Sequence, residues 1–214
     1  MDKQKIQTTL LHLCDHYGEQ NWWQSDNKLE DLVSTILIQR TTERNARLAL
    51  VNLMDVLSIE KLLELSIEEL QERIRPAGFY MQKSQTIRRL LVWLKNQGGF
   101  EAFQNMATQE LRNNLLTLKG IGPETADALL LYLFDRPVFI SDEYARRLFR
   151  LLDFGDFQSY QEMHASYQYV LEGLSLKQCQ EIHAVIDQHG KAYRKSKGQL
   201  DESWLRELIA VNHK

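Results

Sequence analysis

The sequence predicts an all-α fold, and three observations support that class. Apolar side chains recur at helical spacing along nearly all of the 214 residues. Only three prolines and ten glycines are present to break helices. The one strand-like run, Val138 to Ile140, is short and follows Pro137, so we expect an extended connector there. The length allows one large domain or two small ones, with a core that needs neither disulfides nor metal.

The helices are predicted from their apolar faces and from the turns between them. A suitable N-cap, Asp26 or Asn27, precedes a pattern of apolar residues typical of a helix with one buried face. Turn chemistry at Pro76–Gly78 and Gly98–Gly99 separates later helices. The buried face of the first pattern comprises Leu29, Leu32, Val33, Ile36 and Leu37. Similar stretches occupy roughly residues 4–18, 43–54, 59–73, 80–96, 107–117, 122–134, 142–152, 159–172, 176–189 and 201–211.

Composition and charge exclude several classes of protein. With 43% hydrophobic and 26% charged residues, the chain is not collagenous, disordered or a coiled coil alone. The net charge of −3 gives no global positive field, so any contact with nucleic acid must come from a local patch. Cys14 and Cys179 are too few for a disulfide framework, which favours a reducing compartment. Neither a signal peptide nor an apolar run of ~20 residues is present, so we expect a cytoplasmic protein without a membrane span.

The most informative segment runs from Leu118 to Ala126. A helix that ends near Thr117, two glycines spaced by one residue and a proline suited to a first helical turn predict a tight helix-hairpin-helix. Gly120 and Gly122 allow backbone conformations that a Cβ atom forbids, so successive N–H groups can converge and bind a phosphate. The alternative is a plain helix-turn-helix connection, because a lone G-x-G is a weak signal. The residues assigned to this phosphate site are Lys119, Gly120, Ile121, Gly122 and Thr125.

Other motifs accompany the hairpin in a characteristic order. An apolar approach after the second hairpin helix leads to Asp142 at the start of another helix. Here the chain resembles the endonuclease III superfamily of DNA glycosylases, whose signature is this hairpin followed by an aspartate. Leu37–Thr41 resembles the family's L-T-Q-N-T segment, and Pro76–Lys83 resembles P-x-G-F-Y-x-x-K. Trp22–Trp23 resembles the branch of small 3-methyladenine DNA glycosylases. The match extends from about Trp22 to Lys197.

The resemblance implies two helical lobes with a cleft between them. One lobe is a barrel of about six helices over residues 20–135, which ends with the hairpin. The other joins residues 1–19 to residues 136–214, and Asp142 lies at the cleft where the chain passes between lobes. No shift in linker composition marks this boundary in the sequence.

Asp142 is the catalytic residue that the resemblance implies. Cleavage of an N-glycosidic bond builds positive charge on the deoxyribose, and an ionised carboxylate beneath the sugar stabilises that charge and can activate the attacking water. The alternative is an ordinary helix N-cap. The two roles are compatible, because N–H donors at a helix start favour an ionised carboxylate.

Glu124 departs from the pattern of the family members that also cut the strand. Those members carry a lysine at this hairpin position, and its amine forms a Schiff base with the sugar. Because a carboxylate cannot form that imine, we expect a monofunctional enzyme with water as nucleophile. Glu124 is placed near the entrance of the base pocket, or it is a solvated first-turn glutamate. Lys119 is assigned to phosphate or solvent, and rescue of lyase chemistry by this lysine is the alternative.

The resemblance also bears on cofactors. Many relatives hold an iron–sulfur cluster on four C-terminal cysteines, but here Tyr193 stands near the expected first ligand and no cysteine follows. Since a cluster needs about four thiolates, we expect none. His183 and His189 lack a third ligand, so we interpret them as surface or helix-end histidines. A Na or K ion on backbone carbonyls is implied by the family at Leu116, Leu118 and Ile121.

Chemistry on a stacked base requires that the base be flipped out and that the gap be filled. Gln39 matches the family's plug residue and Phe79 its wedge. Gln39 could instead cap a helix, and Phe79 could be ordinary packing. Trp22 and Trp23 would stack on an electron-poor flipped purine, or pack in the core.

The substrate is the least specific part of the prediction. An N3-alkylated adenine is cationic and leaves readily, so its removal needs no strong general acid. The branch usually has an aromatic residue where this chain has Glu43, and an asparagine where it has Arg40. Glu43, which we assign to the base pocket, either attracts a cationic base or indicates a different or lost substrate.

A local basic patch supports DNA as the partner despite the acidic total. Four cations without an intervening acid lie between residues 190 and 198, and Arg146, Arg147 and Arg150 follow Asp142. Counterion release at such a patch makes affinity strongly dependent on salt. A solvated helix face is the alternative, and we prefer it for Arg88–Arg89. The patch comprises Lys191, Arg194, Lys195 and Lys197.

Three functions from different classes remain open at this point. The first is a monofunctional glycosylase that removes alkylated purines from double-stranded DNA in base excision repair. We expect this enzyme to be a monomer that does not associate with a membrane. The second is a glycosylase with lyase activity through another lysine. The third is a non-catalytic protein that binds DNA lesions, suggested by Glu43 and Arg40.

Overall fold

The computed structural model describes residues 2–21 and 27–205. Every regular element in these two ranges is an α-helix or a short 3-10 helix, which confirms the all-α prediction. Residues 138–140 are extended and pair with no strand in that part of the chain, as the sequence predicts. No helix in these ranges combines the length and the apolar character needed to cross a membrane.

The elements follow one another with short connections. The α-helices are α1 (Lys3–Tyr17), α2 (Lys28–Leu37), α3 (Glu43–Val51), α4 (Ile59–Glu64), α5 (Ile67–Ile74), α6 (Tyr80–Gln97), α7 (Thr108–Leu116), α8 (Pro123–Tyr132), α9 (Glu143–Leu151), α10 (Tyr160–Tyr167) and α11 (Leu176–Lys195). The 3-10 helices are Met54–Val56, Arg75–Ala77, Phe100–Phe103 and Gln168–Leu171.

The chain divides into two compact units. Unit 1 comprises Met1–Gln24 and Asp135–Lys214, and unit 2 comprises Ser25–Phe134. The sequence placed these boundaries after residues 19 and 135. The described part of unit 2 contains seven α-helices, α2 to α8. The barrel arrangement of that lobe stays a prediction.

Helix α2 forms as its sequence predicts. The Asn27 side chain caps it by accepting hydrogen bonds from the backbone N–H groups of Leu29 and Glu30, at 3.1 and 3.3 Å. Asp26, the other candidate cap, lies outside the described residues. All five residues of the predicted apolar face are buried in unit 2. One stripe of apolar residues therefore anchors α2 in unit 2 and fixes the position where the segment 37–41 begins.

The prediction of a single helix over residues 59–73 is wrong, because the structure contains two helices there, α4 and α5. Ser66 starts the second one with a capping box: its hydroxyl accepts from the N–H of Glu69 at 3.1 Å, and the Glu69 carboxylate accepts from the N–H of Ser66 at 2.7 Å. The apolar period continues across the break, but the cap satisfies N–H groups that a continuous helix would bond internally.

Two other boundaries differ from the prediction. The helix predicted over 159–172 changes to 3-10 geometry after Tyr167. Helix α11 continues to Lys195, past the predicted end at residue 189. Gly190 lies inside it at some cost in helix propensity, but a Cβ there would lie 2.2 Å from Cγ of Tyr144. The glycine therefore allows α9 to pack closely on α11. Most of the helix predicted over 201–211 lies outside the described residues.

The extended connector in unit 1 is held by a side chain instead of a sheet. Phe139 donates its N–H to Oε1 of Gln168 at 3.0 Å, and Gln168 Nε2 donates to the Phe139 carbonyl at 2.9 Å. The Phe139 ring contacts Phe149 within the core of the unit. Both backbone groups of a buried extended residue are thereby satisfied. This anchor lies three residues before Asp142 and positions the start of α9.

Candidate functional site

The hairpin between α7 and α8 is as tight as its glycines predict. Ile121 donates its N–H to the Leu118 carbonyl at 3.0 Å and so closes the turn. Gly120 has a φ of +103°, in the region that only glycine adopts freely, and a Cβ there would lie 2.1 Å from Oγ1 of Thr86. Both its conformation and its contact with α6 therefore require a glycine at this position.

Gly122 differs from the expectation that both glycines are needed for their backbone conformation. Its φ of −92° and ψ of 176° are extended values that any residue adopts, and a Cβ there would meet nothing within 4 Å. Its carbonyl accepts from the N–H of Ala126 at 2.9 Å, the first bond of α8. The fold of unit 2 itself does not require this glycine. A close approach by a ligand at the start of α8 would.

Two arginines, Arg112 and Arg89, stabilise the hairpin from within unit 2, and no sequence motif indicated this role for either. Arg112 on α7 pairs with Asp127 on α8 through two hydrogen bonds of 2.6 and 3.0 Å, and the Asp127 side chain is fully buried. Arg89 on α6 donates to the carbonyl of Lys119 at 3.2 Å.

The contacts of Arg88 and Arg89 differ from the solvated helix face that the sequence suggested for them. Arg88 and Arg89 were assigned to a solvated helix face, but Arg88 donates to the Leu65 carbonyl and Arg89 to the hairpin. Their partners are backbone atoms 23 and 30 residues away in the sequence. Sequence patterns carry no signal for such distant backbone acceptors.

The other hairpin residues differ in exposure. Lys119 and Glu124 are exposed, whereas Ile121 is buried and anchors the turn in unit 2. Thr125 is partly exposed and accepts a hydrogen bond from Gln39 Nε2 at 3.0 Å. The lysine and the carboxylate are therefore accessible from solvent, as groups that contact a ligand must be.

The predicted plug and wedge belong to two loops of unit 2 with unusual backbones. The Gln39 side chain bonds to Thr125 on α8. Phe79 is 56% exposed, which excludes ordinary core packing, and its φ of +47° is left-handed. Arg40, directly after Gln39, is left-handed as well, with a φ of +51°. Left-handed residues other than glycine cost about 1–3 kcal/mol and concentrate at functional sites.

The predicted base-pocket residues are only partly described. Trp22 and Trp23 lie outside the described residues. Glu43 is the first residue of α3 and is exposed, so its carboxylate is available to a ligand.

Asp142 caps α9, as the structural alternative for this residue predicts. Its Oδ1 accepts from the N–H of Ala145 at 2.7 Å. Its Oδ2 lies 3.9 Å from Nε2 of His183 on α11, and the side chain retains 13% of its exposure. One carboxylate oxygen is thus held by the helix start while the other faces an imidazole. The capping bond fixes the orientation of the carboxylate, which a catalytic group also needs.

His183 is not a surface or helix-end histidine, which corrects the sequence interpretation. It lies in the middle of α11 and is largely buried beside Asp142. Burial, and to a smaller extent the positive charge of Lys191, lowers its pKa to about 4. The imidazole is therefore neutral near pH 7. Since 3.9 Å also exceeds a hydrogen-bond distance, we interpret the pair as a polar contact and not as an ion pair.

His189 is likewise buried, with 1% exposure, at the centre of a polar network in unit 1. Its Nδ1 lies 2.9 Å from the Tyr17 hydroxyl and its Nε2 lies 2.7 Å from Oε1 of Glu202. Glu202 also pairs with Arg147, whose guanidinium stacks 3.3 Å from the ring centroid of Tyr193. Burial lowers the His189 pKa, although Glu202 acts in the opposite direction. The network joins α1, α9 and α11 to residue 202.

The basic patch lies on the last turns of α11 and just beyond it. Lys191 forms an ion pair of 2.5 Å with Asp187, so its charge is partly offset. Arg194 approaches the Tyr144 hydroxyl at 3.5 Å. Arg194, Lys195 and Lys197 are exposed. Cations interact favourably with the dipole at a helix C-terminus, so these side chains can occupy this position without a bound ligand.

Candidate metal ligands are scattered in the part of the chain that the structure describes. Within residues 2–21 and 27–205, no group of three or more histidines, cysteines or acids is placed to hold a metal ion. Burial raises the pKa of Cys14 to about 12 and that of Cys179 to about 11, so both thiols stay protonated near neutral pH.

Comparisons with known proteins agree with this geometry. Over 202 residues the chain is 36% identical to a putative DNA repair glycosylase of Methanocaldococcus jannaschii, with 92% of this chain and 91% of that protein covered. It is 25% identical over 175 residues to an endonuclease III of Sulfolobus acidocaldarius, covering 80% of this chain and 76% of the relative.

A solved structure is also similar. The crystal structure of H. pylori 3-methyladenine DNA glycosylase bound to 1,N6-ethenoadenine has a TM-score of 0.72 and 28% identity, over 94% of this chain and 100% of the other. The hairpin and the helical fold therefore define a DNA glycosylase, a hydrolase that acts on N-glycosyl bonds. Residues 33–172 match the HhH-GPD superfamily of base excision DNA repair proteins, and the chain belongs to that superfamily. The resemblance to the endonuclease III superfamily is confirmed, and DNA is the binding partner of proteins with this fold.

Proposed function

We propose that this protein is a monofunctional DNA glycosylase that hydrolyses the bond between deoxyribose and an alkylated purine such as 3-methyladenine. The observation that carries the proposal is Glu124, an exposed carboxylate in the first turn of α8. Lyase members of the superfamily carry a lysine at that position. Without an amine there, water is the nucleophile, and the product is an abasic site in an intact strand.

Each candidate residue has one role in this reaction. Asp142 stabilises the positive charge that develops on the sugar and orients the attacking water. The N–H groups at the hairpin bind a phosphate at the start of α8. Gln39 fills the gap left by the flipped nucleotide and Phe79 wedges the strand open. The orientation of Asp142 by the Ala145 N–H supports its role, because a charge stabiliser must be held in place before the reaction.

An alkylated purine fits the groups that are present. A positively charged base is a good leaving group, so one aspartate suffices and no general acid is needed. Glu43 and Glu124 are exposed carboxylates that would attract such a cationic base. Trp22 and Trp23 would stack on its electron-poor ring. The similar H. pylori protein is a 3-methyladenine DNA glycosylase, which supports the same substrate class for this chain.

The cofactor proposals follow from the available donors. An iron–sulfur cluster does not fit, because only two cysteines exist and Tyr193 and Arg194 are occupied in contacts of unit 1. A Na or K ion does fit a turn made of backbone carbonyls. The Leu118 carbonyl accepts one hydrogen bond from Ile121 and keeps a second lone pair. The ligands would be the carbonyls of Leu116, Leu118 and Ile121, and the ion would add positive charge near a bound phosphate.

We further propose that the protein acts as a monomer in the cytoplasm on double-stranded DNA that contains a damaged base. Two unpaired cysteines are typical of a reducing compartment. A glycosylase needs only one copy of its hairpin and aspartate to act on one nucleotide.

The test is release of free bases from methylated duplex DNA, combined with borohydride trapping. We expect the wild-type protein to release 3-methyladenine and to give no covalent adduct. Glu124→Lys restores an amine at the lyase position and should give a trapped adduct. The lyase alternative is favoured by the exposed Lys119, and it predicts an adduct with wild type that Lys119→Ala abolishes. Binding to an abasic duplex without release from any methylated, deaminated or oxidised base would contradict the glycosylase proposal.

A further inference from the structure

Lys83 is a buried lysine that the proposed reaction does not use. Its side chain lies on α6 with 3% exposure. The ammonium donates to the carbonyl of Leu37 at 2.7 Å and to the carbonyl of Ala77 at 2.8 Å. A lysine is almost never buried this deeply unless its charge is compensated. The two carbonyls belong to two segments that are 40 residues apart in the sequence, the end of α2 and the 3-10 helix before α6.

The position of these carbonyls is specific. Leu37 comes two residues before Gln39, and Ala77 comes two residues before Phe79. One ammonium therefore holds the base of both loops that carry the plug and the wedge. Each loop also contains a left-handed residue other than glycine, Arg40 in the first and Phe79 in the second. A strained backbone persists only where its surroundings hold it, and Lys83 supplies a direct bond to each segment.

Local energetics oppose a cation at this place. Burial lowers the Lys83 pKa to about 8. The residue also lies one turn from the start of α6, where the helix dipole disfavours positive charge. The compensation comes from elsewhere in unit 2. Helix α2 has no basic residue in its own last turn, so the ammonium of Lys83 is the cation placed at that C-terminus. The positive charge of Lys83 is thus unfavourable for α6 itself, whereas its hydrogen bonds stabilise the backbones of the two loops.

We propose that Lys83 is a positioning residue that keeps the plug and the wedge in register for insertion into DNA. The inference rests on the proposed function, since it assigns Gln39 and Phe79 to the opening of the duplex. Lys83 contacts neither substrate nor reacting atoms. It acts through the backbones of the two loops, and Gln39 is held a second time by its bond to Thr125.

The test separates positioning from chemistry. The substrate is a duplex that contains a tetrahydrofuran abasic-site analogue, with 2-aminopurine as the opposite base, whose fluorescence rises when it is unstacked. The proteins are wild type, Lys83→Met, Lys83→Arg and the control Lys95→Met, which changes an exposed lysine on the same helix. We expect wild type and Lys95→Met to unstack the base. Lys83→Met should lose at least tenfold in the unstacked fraction at saturating protein, and Lys83→Arg, which keeps a cation with several donors, should recover part of it.

Two results would overturn the proposal. One is unstacking by Lys83→Met equal to wild type, and the other is the absence of unstacking by wild type itself. If Lys83→Met does not fold by circular dichroism, Lys83→Gln takes its place. The amide is one bond shorter and cannot reach both carbonyls, so wild-type unstacking in that variant would equally overturn the proposal.

A failure of the proposed function gives a different pattern. The analogue has no base to release, so unstacking is measured whether or not the enzyme is active. Wild type that unstacks DNA but releases no base contradicts the glycosylase proposal alone. In an active enzyme, Lys83→Met should lower kcat at least tenfold and change KM less, because opening of the duplex follows binding and precedes chemistry. If the substitutions acted only by destabilising the protein, the activity of both Lys83 variants would instead fall in proportion to the fraction of unfolded protein.

Discussion

The hairpin of unit 2 and the Asp142 region of unit 1 offer different kinds of chemistry. At the hairpin the atoms proposed to bind DNA are backbone N–H groups, and a glycine that packs against Thr86 forms the turn. In the other region the proposed catalytic atoms are those of the Asp142 side chain, which is held by the backbone N–H of Ala145 and faces His183. The backbone site is made by local conformation, whereas the side-chain site is made by helices α9 and α11 that are distant in sequence.

The two kinds of site therefore leave different traces in the sequence. Glycine and proline restrict the backbone geometry directly, so a tight hairpin between two helices leaves a pattern in a few consecutive residues. A carboxylate is identified as functional only by its neighbours, and those neighbours are chosen by tertiary packing. We expect substitutions in the two regions to differ accordingly in which property they change.

Asp142→Asn should give the largest effect and tests the side-chain site. Asparagine is as good an N-cap as aspartate, so α9 is retained while the negative charge is removed. Base release should fall about 10²- to 10⁴-fold, the usual contribution of a group that stabilises charge or activates water. Single-turnover release from methylated DNA measures it.

The matched control for Asp142→Asn is Ser159→Ala. The hydroxyl of Ser159 caps α10 in the same unit by accepting from the N–H of Glu162 at 3.2 Å. Loss of that cap should cost about 1 kcal/mol of stability without changing base release. Unchanged release in Asp142→Asn would show that this aspartate is only a cap.

Arg112→Met tests whether the backbone hairpin depends on side chains beneath it. The substitution leaves the buried Asp127 carboxylate without its partner, and breaking such a pair costs about 3–5 kcal/mol. Urea denaturation measures the loss in unfolding free energy. The double variant Arg112→Met/Asp127→Asn should recover part of the loss, because the uncompensated charge is gone. A loss below about 1 kcal/mol in the single variant would mean that the pair does not stabilise the hairpin.

Gly120→Ala and Gly122→Ala compare two glycines of one turn. Gly120→Ala should cost about 2 kcal/mol or more, because the added Cβ meets Thr86 and the left-handed conformation is strained. Gly122→Ala should change the unfolding free energy by no more than about 0.5 kcal/mol. It should instead weaken binding to duplex DNA, measured by fluorescence anisotropy. Equal stability losses in the two variants would contradict the different roles that the structure indicates.

His183 should make unit 1 less stable in mild acid. Its pKa is about 4 in the folded protein and about 6.5 in the unfolded chain, so the unfolded chain binds more protons between these values. Stability is therefore full above pH 6.5 and falls as the pH decreases toward 4. The loss is at most about 3.4 kcal/mol for a pKa that falls from 6.5 to about 4, at 1.36 kcal/mol per pKa unit.

Unfolding midpoints of wild type and His183→Gln between pH 4 and 7 measure this effect. The variant should lose part of the slope and keep the part due to His189, whose pKa is also lowered by burial. Identical pH profiles would show that His183 is solvated in the protein.

The smallest effect is expected from the basic patch. Lys195→Gln should reduce the slope of log affinity against log salt by about 0.9 if this lysine contacts one phosphate. Lys61→Gln, which removes an exposed charge on α4, is the control and should leave the slope unchanged. Binding isotherms from 50 to 200 mM salt provide the measurement.

The sequence predicted the helices better than their ends. The apolar face of α2 identified that helix because its period is local. The same reasoning joined α4 to α5, because the apolar period continues past Ser66 while the capping box interrupts the backbone. It also ended α11 too early, since the value of a glycine inside a helix became visible only through its contact with Tyr144.

The candidate site divides in the same way. The hairpin, Asp142, Gln39 and Phe79 were identified from short motifs and from their resemblance to a family. His183, His189 and Lys83 were misinterpreted or given no role of their own, although the structure places each in a buried polar contact. His183 faces Asp142 41 residues away, His189 contacts Glu202 13 residues away, and Lys83 bonds to Leu37 46 residues away as well as to the nearer Ala77. No periodic pattern in the sequence records such pairs.

Short segments of the sequence were enough to reveal the helical periods and the glycine turn at the start of α8. These follow from the local sterics of the backbone and from the identity of the side chains. The pairing of buried polar groups that compensate one another came instead from the packing of the folded chain. The partner of Lys83 or Asp127 is set by the packing of helices in unit 2, because the cost of burying a charge depends on every neighbour within a few ångströms.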